Sequence, residues 1–464
     1  MKLYPRHAVI GNAAPDVRSR GARHWPSPGT FRSIALAVLA SMAWGAAVHA
    51  TTYDDLTAWQ TARNNSSDAL TAATYGPDGL PELAPYLAPG LRDLMTFDAF
   101  RMTITGTQSY PPSAEFRAAT DAHQSKVVLA ADGTVTGYVA GQPFSADQIE
   151  SAEPARAGHM LAWNHKFRWQ YQGYRSDVMI SMVKASDDAS SSGLTPGLEG
   201  TGHLERSMTL RYHRALIAHL AYLPGSGYRL DVDDADTVLW KEYVEFLDPF
   251  NIKGTRFVVE RPLDPLIEDQ VYSYLPTERR VRRLSAKERA DRWMGTNMTL
   301  DDFEAYAGRI LDNDWRYLGQ KAVLSVMNSE HDAAVLAGPM SSVPADRWEL
   351  REAYLVESSP KWEGHPYRRR VLFLDKETFV VLYSLVFDHD DVLWKIFANI
   401  YRQHPRTPSS PSENTVSKWA ATLSIDLQER TNSVFRSLAP ADYAPMSASA
   451  VRRTFDVSNL TDGR

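Results

Sequence analysis

Residues 271–306, VYSYLPTERRVRRLSAKERADRWMGTNMTLDDFEAY, carry the pattern on which the fold prediction depends. The side chains of residues 271–275 alternate between two faces, as they do in a β-strand. Pro276 fixes φ and lacks a hydrogen-bond donor, so the strand ends there and a turn follows. Residues 280–284 alternate again, and they predict the return strand of a β-hairpin.

The second half of this stretch predicts two short helices after the hairpin. Ser285 is a suitable N-cap, and Glu288 three residues later completes a capping box. Gly295 ends that helix, and Thr299 caps a second one whose first turn contains Asp301. The stretch contains no candidate nucleophile, metal-binding cluster or phosphate-binding loop. It therefore indicates a fold but no catalytic or metal-binding function.

Much of the remaining chain also predicts antiparallel strands. The Asp132-Gly133 turn between two apolar runs is a strong hairpin signal. Further strands are predicted at residues 97–104, 163–171, 177–183, 203–223, 240–247, 254–260, 315–326, 348–358, 367–374, 379–387, 392–401 and, as the last strand, 416–430. Helices are predicted at 53–62, 113–122 and 447–455, and residues 75–89, with four prolines, predict an extended loop. Short spacing and tight turns favour an antiparallel sheet.

Four stretches together resemble the periplasmic lipoprotein-carrier (Lol-type) superfamily. They are YVAGQPF at 138–144, AGHMLAWN at 157–164, RRVRR followed by GTNMTLDDF within 279–303, and YRRRVLFLDKETFVVLYSLVFDHDDVLWK at 367–395. The resemblance is closer to an uncharacterised proteobacterial family described as outer-membrane lipoprotein-sorting-like, a domain of unknown function. It implies a mainly β (α+β) fold, in which a large curved antiparallel sheet, or half-barrel, holds short helices as a plug or lid.

The same resemblance implies a function and a partner. Residues 51–464 are expected to form a single carrier-like domain with an N-terminal extension. The implied function is that of a periplasmic, non-enzymatic carrier or chaperone for a lipid, a lipoprotein or another hydrophobic ligand. An inner-membrane exporter of the resistance-nodulation type is the implied partner, and no cofactor is expected. Two alternatives stay open: a secreted hydrolase with carboxylates inside the sheet, and a structural envelope protein that binds through its sheet edge.

Residues 1–50 have the order of a signal peptide. Arginines come first, a small apolar run follows at 33–47, and cleavage is expected near Ala50. The chain has no cysteine, which excludes disulfides and a lipidated N-terminal cysteine. The net charge is −6 although residues 1–50 are strongly basic, so the remainder is acidic. An acidic chain argues against nucleic acid as a partner.

The chain is rich in aromatic residues, with 12 Trp, 21 Tyr and 16 Phe. Aromatic side chains offer large, rigid apolar area, so those on the predicted strands and lid are candidates for lining an apolar cavity. The candidate ligand-binding residues are Tyr272, Tyr274, Trp293, Phe303, Trp348, Tyr354, Phe373 and Trp394. Taken singly, each of them is more typical of an ordinary buried core.

Polar clusters give weaker signals. Two arginine clusters, at 279–283 and 368–370, could contact an anionic head group, but a solvated strand face is the favoured interpretation. Residues 388–391, DHDD, resemble metal ligands but fall where the strand pattern requires a turn. No G-x-S-x-G motif occurs. The sequence therefore predicts neither a catalytic residue nor a metal ligand.

Overall fold

The computed structural model describes residues 50–62, 70–284, 289–405, 415–439 and 442–461. The predicted signal peptide and the Ser285–Glu288 capping box lie outside these residues. The helices are α1 (Tyr53–Thr61), α2 (Leu80–Leu83), α3 (Leu91–Leu94), α4 (Ala114–His123), α5 (Ala146–Ser151), α6 (Pro154–Lys166) and α7 (Ala448–Phe455). The strands are β1 (Thr74–Tyr75), β2 (Met102–Ile104), β3 (Val128–Leu129), β4 (Val135–Thr136), β5 (Gly173–Lys184), β6 (Ser191–Ser192), β7 (Gly202–Leu216), β8 (Val238–Asp248), β9 (Arg256–Pro262), β10 (Gln270–Leu275), β11 (Arg280–Arg283), β12 (Asn313–Ser325), β13 (Leu336–Ala337), β14 (Val343–Pro344), β15 (Arg347–Pro360), β16 (Arg369–Asp375), β17 (Val381–Phe387), β18 (Leu393–Pro405), β19 (Thr415–Asp426) and β20 (Thr431–Ser437).

Sixteen of these strands form one open sheet. Its order is β1-β2-β15-β16-β17-β18-β19-β20-β5-β7-β8-β9-β10-β11, with β12 beside β15 and β6 beside β7. Neighbouring strands are antiparallel except for the pairs β2–β15 and β6–β7. Register shifts, such as that between Ile400 and Tyr401, bend the strands and increase their twist. The predicted fold class, a large antiparallel sheet with short helices, is confirmed.

The hairpin predicted at the start of the 271–306 stretch is also confirmed. Strands β10 and β11 pair with Tyr272 opposite Arg283. Thr299 then caps a short 3₁₀ turn at Leu300–Ala305, and its backbone N–H donates to Asp302, which completes a capping box. Phe303 has an extended backbone inside this turn, so the second helix of the prediction is shorter and kinked.

The central strands are buried on both faces. In β16, Val371 and Phe373 belong to a first core, which also contains buried apolar residues nearer the N-terminus, such as Leu56, Leu91 and Ile104. Leu372 belongs to a second core, which contains the apolar residues of α6 and of the segment after the hairpin. Alternate residues of a strand point to opposite faces, so the two cores lie on opposite sides of the sheet. This accounts for the continuous apolar sequence of β17, whose residues are all buried.

Three local predictions are wrong. Residues 163–171 do not form a strand, because α6 extends to Lys166. The last buried residues of α6 lie on all sides of the helix, so the sequence there shows no clear helical period. Residues 75–89 form short helical turns, including α2, whose Leu83 is buried. The strand at 416–430 is not the last, because β20 follows and pairs with β5. Among the described residues, no helix has the length and apolar character needed to cross a membrane.

Candidate functional site: an aromatic and charged interior under a short segment

The lid segment, defined as residues 289–310, lies on the second core and contacts the sheet largely through polar groups. Its backbone carbonyls accept hydrogen bonds from three side chains of the sheet. Arg370 donates to Ala305 at 3.1 Å, Lys395 donates to Asn297 at 2.8 Å, and Asn399 donates to Glu304 at 2.8 Å. These long side chains from β16 and β18 therefore position the lid segment.

A buried ion pair adds to this attachment. Asp302 in the lid segment lies 2.6 Å from Arg370, and its carboxylate also accepts a hydrogen bond from the Tyr367 hydroxyl at 2.8 Å. Burial alone would raise the pKa of Asp302, but the charges of Arg370 and Lys395 lower it overall. The carboxylate therefore stays ionised although it is fully buried.

Apolar contacts of the lid segment converge on one aromatic cluster, defined as Phe246, Phe257, Trp293, Phe303 and Phe435. The Trp293 ring lies 5.2 Å from the ring of Phe303 and 5.4 Å from that of Phe246, between ring centroids. Phe257 and Phe435 lie 6.3 and 6.4 Å from the same ring. The cluster joins the lid segment to β8, β9 and β20, and buries a large apolar area at their centre.

Two small cavities lie beside this cluster. The charged cavity, of about 40 Å³, is lined by Lys166, Arg168, Arg214, Arg261, Glu242 and Glu304 among others. The apolar cavity, of about 30 Å³, is lined by Val244, Phe257, Val259, Val271, Trp293 and Leu300 among others. The two cavities share six lining residues: Tyr212, Trp240, Glu242, Arg261, Phe303 and Ala307. Movement of Phe303 would therefore connect a charged compartment with an apolar one.

A third, larger cavity of about 260 Å³ lies on the other side of the lid segment. Its lining includes the charged residues Asp269, Arg289, Asp301, Arg309, Asp312 and Arg370, beside Tyr306, Pro360 and Trp362. Arg289 lies 2.6 Å from Asp269, and it also pairs with Asp301. These charges compensate one another, so this cavity is a poor match for an apolar ligand.

The structure places the eight predicted lining residues in different surroundings. Trp293 and Phe303 meet in the aromatic cluster, and Tyr354 and Trp394 pack elsewhere in the second core. Trp348 and Phe373 lie in the first core, on the opposite face of the sheet. Tyr272 and Tyr274 are half-buried on β10; the Tyr272 hydroxyl donates to Gln270, and Arg256 lies 6.0 Å from the Tyr274 ring.

The sequence interpretation missed the partners of Trp293 and the charged residues beside them. Phe435 lies in a mostly polar strand, TNSVFRS, that did not resemble a core strand. Phe246 and Phe257 lie on predicted strands. The alternation of side chains along those strands was the signal that could have identified them. No local pattern distinguishes Lys166 or Arg214 from surface cations, because their neighbours come from distant parts of the chain.

The polar clusters divide between surface and interior. Arg280 and Arg282 are exposed and pair with Glu278, as a solvated face requires. Arg370 is buried against Asp302, so the solvated-face interpretation is wrong for that residue. In the DHDD sequence, the Asp388 carboxylate accepts a hydrogen bond from the backbone N–H of Asp390 at 3.0 Å. These residues therefore form the predicted turn between β17 and β18.

The architecture defines a class of protein: one large open antiparallel sheet, covered on both faces, with a short lid segment over an aromatic interior. The chain belongs to the family described as "Protein of unknown function (DUF1329)", which matches residues 78–461. The resemblance to an uncharacterised family of this kind is thereby confirmed. No curated protein matches this chain.

Several solved structures are similar to parts of this chain. A DUF1329 family protein from Desulfovibrio piger is 17% identical, with a TM-score of 0.44, and the match covers 67% of this chain and 100% of that one. A domain from Vibrio parahaemolyticus named for outer membrane lipoprotein sorting is 14% identical, with a TM-score of 0.44 and coverage of 66% and 99%. A LolA superfamily protein from Nitrosomonas europaea is 11% identical, with a TM-score of 0.35 and coverage of 63% and 92%.

Proposed function

We propose that this protein is a non-enzymatic carrier or chaperone for a lipid, a lipoprotein acyl chain or another hydrophobic ligand. The observation that carries the proposal is the aromatic cluster beneath the lid segment. Its five rings belong to the lid segment and to three strands of the sheet, so displacement of one segment exposes a continuous apolar surface. Such a surface suits an acyl chain, because its affinity grows with the apolar area removed from water.

The lid segment has features that favour opening. Met294, Glu304 and Ala305 have positive φ angles of 51°, 49° and 69°, a region that residues other than glycine occupy at a cost in energy. The segment contains short 3₁₀ turns in place of a long helix, so it lacks the continuous ladder of backbone hydrogen bonds of an α-helix. Exchange of a ligand requires local opening of this kind.

The small volume of the cavities also requires the lid segment to open before a ligand can bind. The two cavities beside Phe303, of about 40 and 30 Å³, have room for a few water molecules and none for an acyl chain. In this proposal the described structure is the closed state. Displacement of Phe303 and Trp293 then joins the cavities into one binding site.

The proposal places the protein in the periplasm, after cleavage of a signal peptide near Ala50. An inner-membrane exporter of the resistance-nodulation type is the proposed partner, which would deliver or receive the ligand. Both statements rest on the leader pattern and on the family resemblance of the sequence. The proposed domain boundary is residue 51, with residues 51–464 forming one carrier domain.

One observation favours the hydrolase alternative. Glu242 and Glu304 line the same cavity and lie 3.8 and 3.6 Å from Arg214. Burial raises the pKa of Glu242, as a general acid requires. Glu304 is also paired with Arg168 at 2.8 Å. A purified protein that hydrolyses periplasmic glycans or lipid esters, and loses this activity in Glu242→Gln, would support the hydrolase function over the carrier function.

The carrier function is tested by native mass spectrometry of protein purified from the periplasm. The expected result is an added mass that organic extraction releases as a lipid. Phe303→Glu should lose this mass, because it places a charge at the centre of the aromatic cluster. Phe250→Glu is the matched control, since Phe250 is 93% exposed on the turn between β8 and β9. Protein without bound lipid, or equal retention in both variants, would contradict the proposal.

A further inference from the structure

Three cations surround the ring of Trp240 in the charged cavity. Lys166 Nζ lies 5.5 Å from the ring centroid, and the guanidinium carbons of Arg214 and Arg261 lie 5.4 and 4.7 Å from it. Trp240 itself is buried. Like charges gathered around one ring repel one another at low dielectric, so this arrangement needs compensating negative charge.

Arg261 has that compensation. Its guanidinium forms two-pronged hydrogen bonds with Asp269, with Nε–Oδ1 at 2.9 Å and Nη2–Oδ2 at 2.6 Å. Its Nη2 also donates to the backbone carbonyl of Ala307 at 2.8 Å. The Arg261 side chain therefore finds its hydrogen-bond and charge partners within the protein itself.

Within the described part of the chain, Lys166 has no such partner, and Arg214 has carboxylates only at longer ion-pair distances. Among the described residues, no acceptor or carboxylate is paired with the Lys166 ammonium group. The Arg214 Nε is buried without a hydrogen-bond partner. The carboxylate oxygens nearest to Arg214, from Glu242 and Glu304, lie at 3.8 and 3.6 Å, beyond good hydrogen-bond distance.

The two carboxylates of the cavity are already engaged. Glu304 accepts a hydrogen bond from Arg168 at 2.8 Å, and Glu242 accepts one from the Tyr212 hydroxyl at 2.6 Å. Burial lowers the pKa of Lys166 well below its ordinary value, which is the expected consequence of a cation without a close partner. The cavity thus has unused donors and a shortage of negative charge.

We propose that the charged cavity binds the anionic head group of an amphiphile between Lys166 and Arg214, while the apolar chain passes Phe303 into the apolar cavity. This inference rests on the proposed carrier function and adds a ligand class to it: a carboxylate or phosphate joined to an apolar chain. The cavity of about 40 Å³ suits a head group that replaces a few water molecules. Arg214 can donate two parallel hydrogen bonds to either group.

The test compares four compounds with a ten-carbon chain by titration calorimetry: decanoate, decyl phosphate, decanol and decyltrimethylammonium. The purified protein should bind decanoate, decyl phosphate or both about tenfold or more tightly than decanol, because charge-assisted hydrogen bonds form only with the anions. The stronger of the two anions identifies a carboxylate or a phosphate as the head group. Decyltrimethylammonium should bind least.

Variants separate a binding role from a structural one. Lys166→Met and Arg214→Met should remove the preference for the anions, so that decanoate and decyl phosphate bind no more tightly than decanol. Lys166→Met should also be no less stable in urea, because it removes a cation without a partner. Lys166→Arg should keep the preference, and Lys253→Met, at an exposed position on the turn between β8 and β9, should leave all affinities unchanged.

The outcomes distinguish this inference from the carrier function itself. Equal affinities for all four compounds would overturn the anion site and leave the carrier function standing. Retention of the anion preference in both Lys166→Met and Arg214→Met would also overturn the site. Failure of all four compounds to bind would overturn both proposals.

Discussion

Asp302 of the lid segment and Arg370 of β16 form a buried ion pair, with an oxygen–nitrogen distance of 2.6 Å. Asp302 is fully buried and Arg370 is 5% exposed. Arg370 also donates to the backbone carbonyl of Ala305 at 3.1 Å, so a single side chain binds the lid segment at two points. The position of the lid segment therefore depends in part on this buried polar contact.

Loss of this ion pair should destabilise the protein strongly. Asp302→Asn leaves the Arg370 guanidinium buried without a counter-charge, which costs about 3–5 kcal/mol. The measurement is the free energy of unfolding in urea. Glu278→Gln is the control, because Glu278 pairs with the exposed Arg282 at the surface and its loss costs about 1 kcal/mol or less. Equal effects of the two substitutions would contradict the assigned role of Asp302.

The buried histidine of α6 should make stability depend on pH. Burial, with a smaller contribution from Arg168, lowers the pKa of His165 from 6.5 to about 3. In the unfolded chain His165 binds a proton below about pH 6.5, whereas in the folded protein it stays neutral until about pH 3. Its contribution to stability is therefore full above pH 6.5 and decreases as the pH falls towards 3, by up to about 1.4 kcal/mol per pH unit.

The variant His165→Asn tests this dependence. It keeps a polar side chain near the carbonyl of Phe379, which His165 contacts at 2.8 Å, but it cannot be protonated. Urea unfolding between pH 4 and 7 should show a slope smaller by up to about 1.4 kcal/mol per pH unit than in the unmodified protein. The same slope in both proteins would show that His165 does not titrate on unfolding.

The packing of α6 against the sheet depends on a glycine. A Cβ atom on Gly158 would lie 2.6 Å from the backbone nitrogen of Arg316 and 2.8 Å from the carbonyl carbon of Trp315 in β12. Because both atoms belong to the backbone of a strand, Gly158→Ala should displace α6 and cost about 1–3 kcal/mol. Gly225→Ala, at a position with open space, should change the stability by about 0.5 kcal/mol or less in thermal or urea unfolding. A neutral Gly158→Ala would contradict this close contact.

The antiparallel sheet could be predicted from the sequence because its signals are local. The hairpin at β10 and β11, the Asp132-Gly133 turn and the strand β15 follow from alternation and turn residues a few positions apart. Helix α6 could not be predicted from the sequence, because Met160 to His165 are all buried and the usual polar face of a helix is missing. Strand β20 was missed since it is a central strand with buried polar residues such as Asn432 and Arg436.

The candidate site was predictable only in part. Trp293 and Phe303 were predicted as lining residues because they are aromatic and lie on the predicted lid, and the structure brings their rings together. Their partners, and the charges around Trp240, depend on contacts between segments that are far apart in sequence, such as Asp302 with Arg370. Long-range pairing of this kind has no period or spacing in a single sequence.

The most direct test of the account is photo-crosslinking with a dodecanoate that carries a diazirine at the end of its chain. Peptide mass spectrometry then locates the modified residues after irradiation. The account predicts that the labels fall on the aromatic cluster, at Phe246, Phe257, Trp293, Phe303 or Phe435, and that an excess of unlabelled dodecanoate prevents them. Labels confined to the first core or to exposed surface residues would contradict a ligand site beneath the lid segment.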